Sequence, residues 1–318
     1  MRFGKVFLAG IALALTAFSA SAQPLVDTNW VRDNLASDKI VFIDLRNKID
    51  GGNYETWLEG HVPGSVHSDY LQAGWRVGRD DVVGLLPTAS DFSALAQRLG
   101  VSADSHVVLI PAGVSSTDFG SAARAYWTFK VFGHESVSIL DGGYAKWASD
   151  FPGNIEKGAG LAPNKGNFIA RFDDEAYIST TGVKAVIDGG QAVLLDARTE
   201  EQYIGKAKHN KALQAGHIPG AVLQSQADAY NPATNQLKTT GELAKIYASI
   251  DDAPIISYCN TGHWAATNWF VLSEVLGRKE VKLYDGSMVE WTANSQNPLG
   301  TQSNMDKIKG LFKSITGS

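Results

Sequence analysis

Short apolar runs alternate with amphipathic stretches along most of the chain, and this alternation predicts the fold. Asp27 to Ser37 reads as a helix capped by Thr28 or Asn29, with Trp30, Val31 and Leu35 on its apolar face. Lys39 to Asp44 is an apolar strand ending in a carboxylate, followed by Leu45 and Arg46. A turn cluster follows, Gly60-His61-Val62-Pro63-Gly64-Ser65. Asp91 to Leu99 is predicted as a helix capped by Ser90, and His106 to Ile110 as a strand. Ser121 to Phe132 is a helix stopped at Gly133, and Ser136 to Leu140 is a strand leading into Asp141-Gly142-Gly143.

The same order then recurs. Val193 to Arg198 repeats Phe42 to Arg46, and Gly216-His217-Ile218-Pro219-Gly220-Ala221 repeats the turn cluster. Glu242 to Ser249 repeats the Asp91 helix, Ala265 to Leu276 the Ser121 helix, and Val281 to Asp285, running on to Trp291, the stretch from Val137 to Trp147. The offset is 144 residues from Val137 to Val281 and 156 from Gly60 to Gly216. That is domain size, so the chain is a duplicated domain and not a solenoid. Strands of about five residues alternating with helices of about ten indicate α/β domains, each a parallel sheet with helices on both faces. The expected organisation is a first domain over 24–151, a linker over 152–176, a second domain over 177–300 and a C-terminal tail over 301–318. Gly153, Gly158, Gly160, Pro163, Asn164 and Gly166 mark the linker; Ile308, Leu311, Phe312 and Ile315 share one helical face in the tail.

The copies differ at one telling place. In the first, the strand His106–Ile110 runs into Pro111, which has neither a sulfur nor an N–H. In the second, the strand Pro254 to Tyr258 runs into Cys259-Asn260-Thr261-Gly262-His263-Trp264 and then a helix. Cys259 is the only cysteine. At a strand end, before a glycine turn and a helix N-terminus, loop N–H groups and the helix dipole favour thiolate, the nucleophilic form. The plainer alternative is a buried, inert cysteine acting as a small hydrophobe.

The N-terminus narrows the setting. Arg2 and Lys5 precede an apolar run from Val6 to Phe18, and Ala20-Ser21-Ala22 is a small-residue cleavage site. Residues 1–22 therefore read as a signal peptide, and a periplasmic protein without stable membrane insertion is expected. The formal net charge is −5, and −7 without Arg2 and Lys5. This argues against a nucleic-acid partner. No His, Cys, Asp and Glu cluster has metal-ligand spacing, and no Gly-rich phosphate loop occurs.

The repeated motifs carry a resemblance. Ile43-Asp44-Leu45-Arg46, Gly60 to Gly64, Ala122 to His134 and Leu140 to Gly143 resemble the N-terminal half of tandem rhodanese-type sulfurtransferases. Leu195 to Arg198, Gly216 to Ala221, Tyr258-Cys259 and Tyr284-Asp285-Gly286-Ser287 resemble the C-terminal, catalytic half. The resemblance implies two rhodanese-like domains, the first catalytically silent. It implies a thiosulfate or 3-mercaptopyruvate sulfurtransferase, passing sulfane sulfur through a Cys259 persulfide to a thiophilic acceptor such as cyanide or a thiol. No cofactor is expected. The loop departs from both known patterns: basic residues follow the cysteine in thiosulfate-type members, and small ones in mercaptopyruvate-type members. Here Asn260 and Thr261 are neutral, and the donor, the acceptor and the oligomeric state are not encoded.

Candidate donor-binding residues are Arg198, Asn260, Thr261, Gly262, His263 and Trp264. Arg198 sits at a strand C-terminal end, where ligands of parallel sheets bind, and either reaches an anionic donor or pairs with Asp196. His263 offers a cation or tunes Cys259 by titration, unless it merely faces solvent. His217 reads as a turn-fixing residue, because His61 stands in the same setting. Asp285 is expected to bond backbone in a neighbouring turn. A phosphatase of related fold requires arginine six residues after the cysteine, and position 265 is alanine. A sulfur carrier that holds persulfide without turnover is the alternative reading.

Overall fold

The computed structural model describes residues 22–301. The C-terminal apolar face at 305–318 and the expected leader, save its last residue, lie outside the described residues. Two parallel sheets form. The first runs Leu25–Val26, Val137–Leu140, His106–Ile110, Ile40–Asp44, Val66–His67 in spatial order. The second runs Val281–Leu283, Ile255–Tyr258, Val193–Asp196, Val222–Leu223. In both, the strand preceding the key loop is interior to the sheet and buried, save the half-buried His106, as expected for a parallel sheet. Among the described residues no helix is long and apolar enough to cross a membrane.

Local chemistry sets the helix starts. The first helix, Thr28–Asn34, is capped by Asp27, whose carboxylate accepts Trp30 N, and not by Thr28 or Asn29. Thr88, not Ser90, caps Ala89–Arg98. The helix predicted from Ser121 begins at Ser116, because Ser115 accepts the N–H of Asp118. That helix, Ser116–Val131, is buried on nearly every face, since the second copy's helix His263–Phe270 packs on its outer side. Tyr126 meets Phe270 edge-on at 4.9 Å, and one apolar core continues through both copies. The second helix also starts earlier than predicted, at His263, and continues as a π turn over Val271–Val275.

The linker lies along the first domain as a strap. Gly166 N bonds Gln97 O, Phe168 N bonds Val101 O, and Arg171 N bonds Phe132 O. Phe168 is buried between Phe92 and Phe129.

Each copy carries an antiparallel hairpin that the apolar pattern does not predict: Val77–Arg79 with Val82–Leu85, and Tyr230–Asn231 with Gln236–Leu237. They are exchanged. Leu86 N, at the end of the first hairpin, donates to Asp285 of the second copy at 2.8 Å. Leu237 N, in the second hairpin, donates to Asp141 of the first copy at 3.1 Å. Asp141 and Asp285 hold equivalent positions in the repeat, so the two domains grip each other reciprocally. The backbone that Asp285 bonds thus belongs to the opposite domain.

Candidate active site

Cys259 lies in a cavity of about 270 Å³ between the two domains. Ile49, Arg76, Val83 and Thr117 line it from the first domain; Gln202, His209, Asn260, Thr261, His263 and Trp264 line it from the second. Larger clefts of about 940 and 710 Å³ lie elsewhere, and neither contains a cysteine.

The loop is held from below by one hydroxyl. Ser287 Oγ accepts Cys259 N at 3.0 Å and Gly262 N at 3.1 Å, and donates to Tyr284 O at 2.7 Å. Ser287 takes a left-handed φ of 49° to do so, a strained conformation for a non-glycine residue. The N–H groups of His263 and Trp264 open the helix, where no intrahelical acceptors exist, and the helix dipole places positive potential beside the sulfur. Gly262 caps the helix at φ 69°, and a Cβ there would collide with Arg124 and the Asp285 backbone.

The first copy shows the contrast. Its loop is plugged by its own carboxylate: Asp118 accepts Ala112 N, Gly113 N and Val114 N at 3.0, 2.6 and 3.1 Å. The first domain has Pro111 where the second has Cys259, and its Asp118 carboxylate occupies the loop N–H groups.

Two guanidinium groups from the silent domain converge on the Thr261 carbonyl. Arg124 Nη1 lies 3.4 Å from it and Arg76 Nη2 3.3 Å. Arg124 is fully buried, with Asp285 at 3.4 Å and Gly84 O at 3.0 Å. Gly84, at φ 89°, is required here, since a Cβ would overlap Arg76 and Thr261.

His263 is the main correction to expectation. It faces neither solvent nor donor as a cation. Its Nδ1 accepts from Tyr70 OH at 3.0 Å and its Nε2–H donates to Thr117 O at 2.8 Å, both across the domain interface. Burial, reinforced by Arg76 and Arg124, pushes its pKa down to about 3, so the ring is neutral. His209 is also pushed down, first by burial and then by Arg76.

Arg198 takes the second of its two alternatives. It is buried, donates Nε and Nη2 to Asp196 at 2.9 and 2.6 Å, and Nη2 to Gly216 O at 2.8 Å. It is not among the residues that line the cavity, although it lies within electrostatic range of Cys259. Arg46 makes the same contacts with Asp44 and Gly60 O in the silent copy. His217 and His61 also match: each offers Nδ1 to a carbonyl, Tyr203 O or Trp57 O, and stacks on that residue's ring at 4.0 and 3.9 Å.

Of the remaining sequence candidates, Asn260, Thr261 and Trp264 line the cavity. Asn260 Nδ2 donates to Gln202 at 3.0 Å, leaving its buried Oδ1 without a partner. Trp264 Nε1 donates to Thr117 Oγ1 at 3.3 Å. Sequence reasoning missed Arg76, Thr117, Gln202 and Ser287. For Ser287 a signal existed: the motif reads Asp-Gly-Gly in the silent copy and Asp-Gly-Ser in the copy bearing cysteine.

The rhodanese-like domain family matches residues 27–150 and 179–294. A putative thiosulfate sulfurtransferase of Mycolicibacterium smegmatis is 34% identical over 288 residues, covering 86% of this chain and 95% of the relative. The sulfur carrier protein TtuD of Thermus thermophilus is 32% identical, covering 86% and 94%. The crystal structure of the 3-mercaptopyruvate sulfotransferase SseA from Escherichia coli superposes with a TM-score of 0.71 at 30% identity, covering 84% of this chain and 99% of that one.

Proposed function

From the premise that this chain belongs to the rhodanese family and is a sulfurtransferase, we propose that it carries sulfane sulfur on Cys259 as a persulfide, in an exported, periplasmic setting. The observation that carries the reading is the sole cysteine set at a helix N-terminus inside an interdomain cavity. In the first half-reaction the Cys259 thiolate attacks the outer sulfur of the donor, forming an S–S bond. With thiosulfate the donor S–S bond breaks and sulfite leaves. With 3-mercaptopyruvate the C–S bond breaks, and the donor's thiol proton ends on the methyl carbon of pyruvate. The persulfide's terminal sulfur is anionic, and the free N–H groups opening the helix are suited to hold it as an oxyanion hole holds oxygen. In the second half-reaction cyanide or a thiolate attacks that sulfur, and Cys259 leaves as thiolate. A covalent intermediate of this kind gives ping-pong kinetics.

Arg2, Lys5, the apolar run to Phe18 and Ala20-Ser21-Ala22 support export. Sequencing the mature N-terminus from periplasmic extract tests it; a chain retaining Met1 in the cytoplasm refutes it. Intact mass after incubation with each donor tests the chemistry. The wild type is expected to gain the mass of one sulfur atom and Cys259→Ser none. A wild type that gains sulfur but makes no thiocyanate from cyanide would favour the carrier reading, which the relative named as a sulfur carrier supports.

A further inference from the structure

Resting on the persulfide reading above, we infer that Arg76 of the silent domain anchors the anionic end of the donor, and that this anion is a single carboxylate on a short carbon chain, as in 3-mercaptopyruvate. Arg76 lines the same cavity as Cys259 and, among the described residues, is the only lysine or arginine that does. Three buried arginines are committed to carboxylates: Arg46 to Asp44, Arg124 to Asp285, Arg198 to Asp196. Among the described residues Arg76 has no carboxylate partner. It gives Nη2 to Thr261 O and rests beside the Tyr70 ring, its centre 5.5 Å from the ring centroid, while its buried Nε–H has no acceptor. A guanidinium with spare donors beside a cavity is suited to bidentate capture of a planar carboxylate.

The rest of the lining selects among anions. Ile49, Val83 and Trp264 are apolar, and Thr117, Gln202, Thr261 and Asn260 are neutral. Burial, reinforced by Arg76, keeps His263 neutral and pushes the His209 pKa down. One fixed positive charge balances one carboxylate. Thiosulfate brings two negative charges, and the second would enter a half-apolar cavity without a partner, a costly burial. The hairpin that presents Arg76 comes from the first domain, so the silent copy supplies charge recognition to a nucleophile it does not own.

Steady-state kinetics on purified full-length protein test this, with 3-mercaptopyruvate or thiosulfate as donor and cyanide as acceptor. Arg76→Gln is expected to raise KM for 3-mercaptopyruvate roughly ten- to a hundredfold, the usual cost of a lost charge-assisted bond, with kcat and the KM for cyanide changed less than twofold. Arg76→Lys, which keeps the charge but not the fork, is expected to fall between. Wild type is expected to favour 3-mercaptopyruvate over thiosulfate in kcat/KM. An unchanged KM for 3-mercaptopyruvate in both variants overturns the inference, as does a fall in kcat and melting temperature together, the mark of a merely structural arginine. If Arg76→Gln does not fold, Arg76→Lys decides alone: a KM equal to wild type refutes the anchor. A wild type that gains no sulfur on Cys259 from either donor is a different failure, read by mass, and removes the persulfide reading itself.

Discussion

The neutral, buried state of His263 makes a quantitative prediction about acid stability. The unfolded ring titrates near the ordinary histidine value of 6.5 and the folded ring near 3. Between those pH values the unfolded chain binds a proton that the folded chain does not, so stability falls as pH falls. At about 1.4 kcal/mol per pH unit below the unfolded pKa, going from pH 7.5 to pH 5 removes roughly 2 kcal/mol through this one residue. The perturbation is His263→Gln, because a glutamine can still accept from Tyr70 OH and donate to Thr117 O but cannot titrate. Urea unfolding of wild type and variant at several pH values isolates the effect as a difference. His106 and His134, also held down by burial, contribute equally to both proteins and cancel. The variant is expected to start less stable at pH 7.5 and to close the gap by about 2 kcal/mol at pH 5. A gap that stays constant across this range refutes the account, because a ring that titrates normally leaves no such slope. The pH–rate profile between 5 and 8 should likewise be unchanged in shape by the substitution.

Two further substitutions probe the supports of the loop. Ser287→Ala leaves Cys259 N and Gly262 N without their acceptor, which should cost about 1–3 kcal/mol and lower turnover; Ser287→Gly should recover part of the stability by relieving the left-handed backbone, but not the turnover. Melting curves beside turnover numbers check both, and a fully active Ser287→Ala enzyme contradicts the assigned support. Arg198→Ala strands the buried Asp196 carboxylate and should destabilise by about 3–5 kcal/mol with donor KM little changed in the folded fraction. Arg46→Ala is the matched control in the silent domain, and a large KM effect for Arg198 alone would return it to the donor site.

What the sequence revealed depended on whether a residue's partner lay within its own domain. The duplication was legible because Asp-x-Arg and Gly-His-x-Pro-Gly each carry their own geometry: Arg198 meets Asp196 and Gly216, His217 meets Tyr203, all inside one copy. The α/β alternation was legible because buried parallel strands read as plain apolar runs. His263 was misread because its partners, Tyr70 and Thr117, stand 193 and 146 residues away in the other domain. The hairpin from Val77 to Leu85 was missed for a related reason. It is short, glycine-bearing and weakly patterned, and it is secured by distant residues: Arg124 of its own domain, and Asp285 and Thr261 across the interface. Arg198 stayed ambiguous because both of its readings begin from the same backbone position, and only the direction of the side chain separates them.

The two copies divide one task that neither could complete. A persulfide requires an anion cradle, cover from water and a way to recognise a charged donor. In the first copy the cradle holds Asp118, so that domain cannot host an anion however its cleft is shaped. In the second the cradle is open, with a neutral hydroxyl as its only resident acceptor. An open cradle with Cys259 exposed would leave the sulfur accessible to any oxidant or thiol. The first domain closes it with the long helix Ser116–Val131 and with the hairpin over Thr261, and so Cys259 is 1% exposed. Reciprocal bonds, Leu86 to Asp285 and Leu237 to Asp141, hold that closure from both sides. Placing the ionic recognition on the cover and the nucleophile on the base means that a productive site exists only when the two are docked. That requirement, more than any surviving chemistry, explains why the silent copy keeps a full core and a complete set of fold-holding ion pairs.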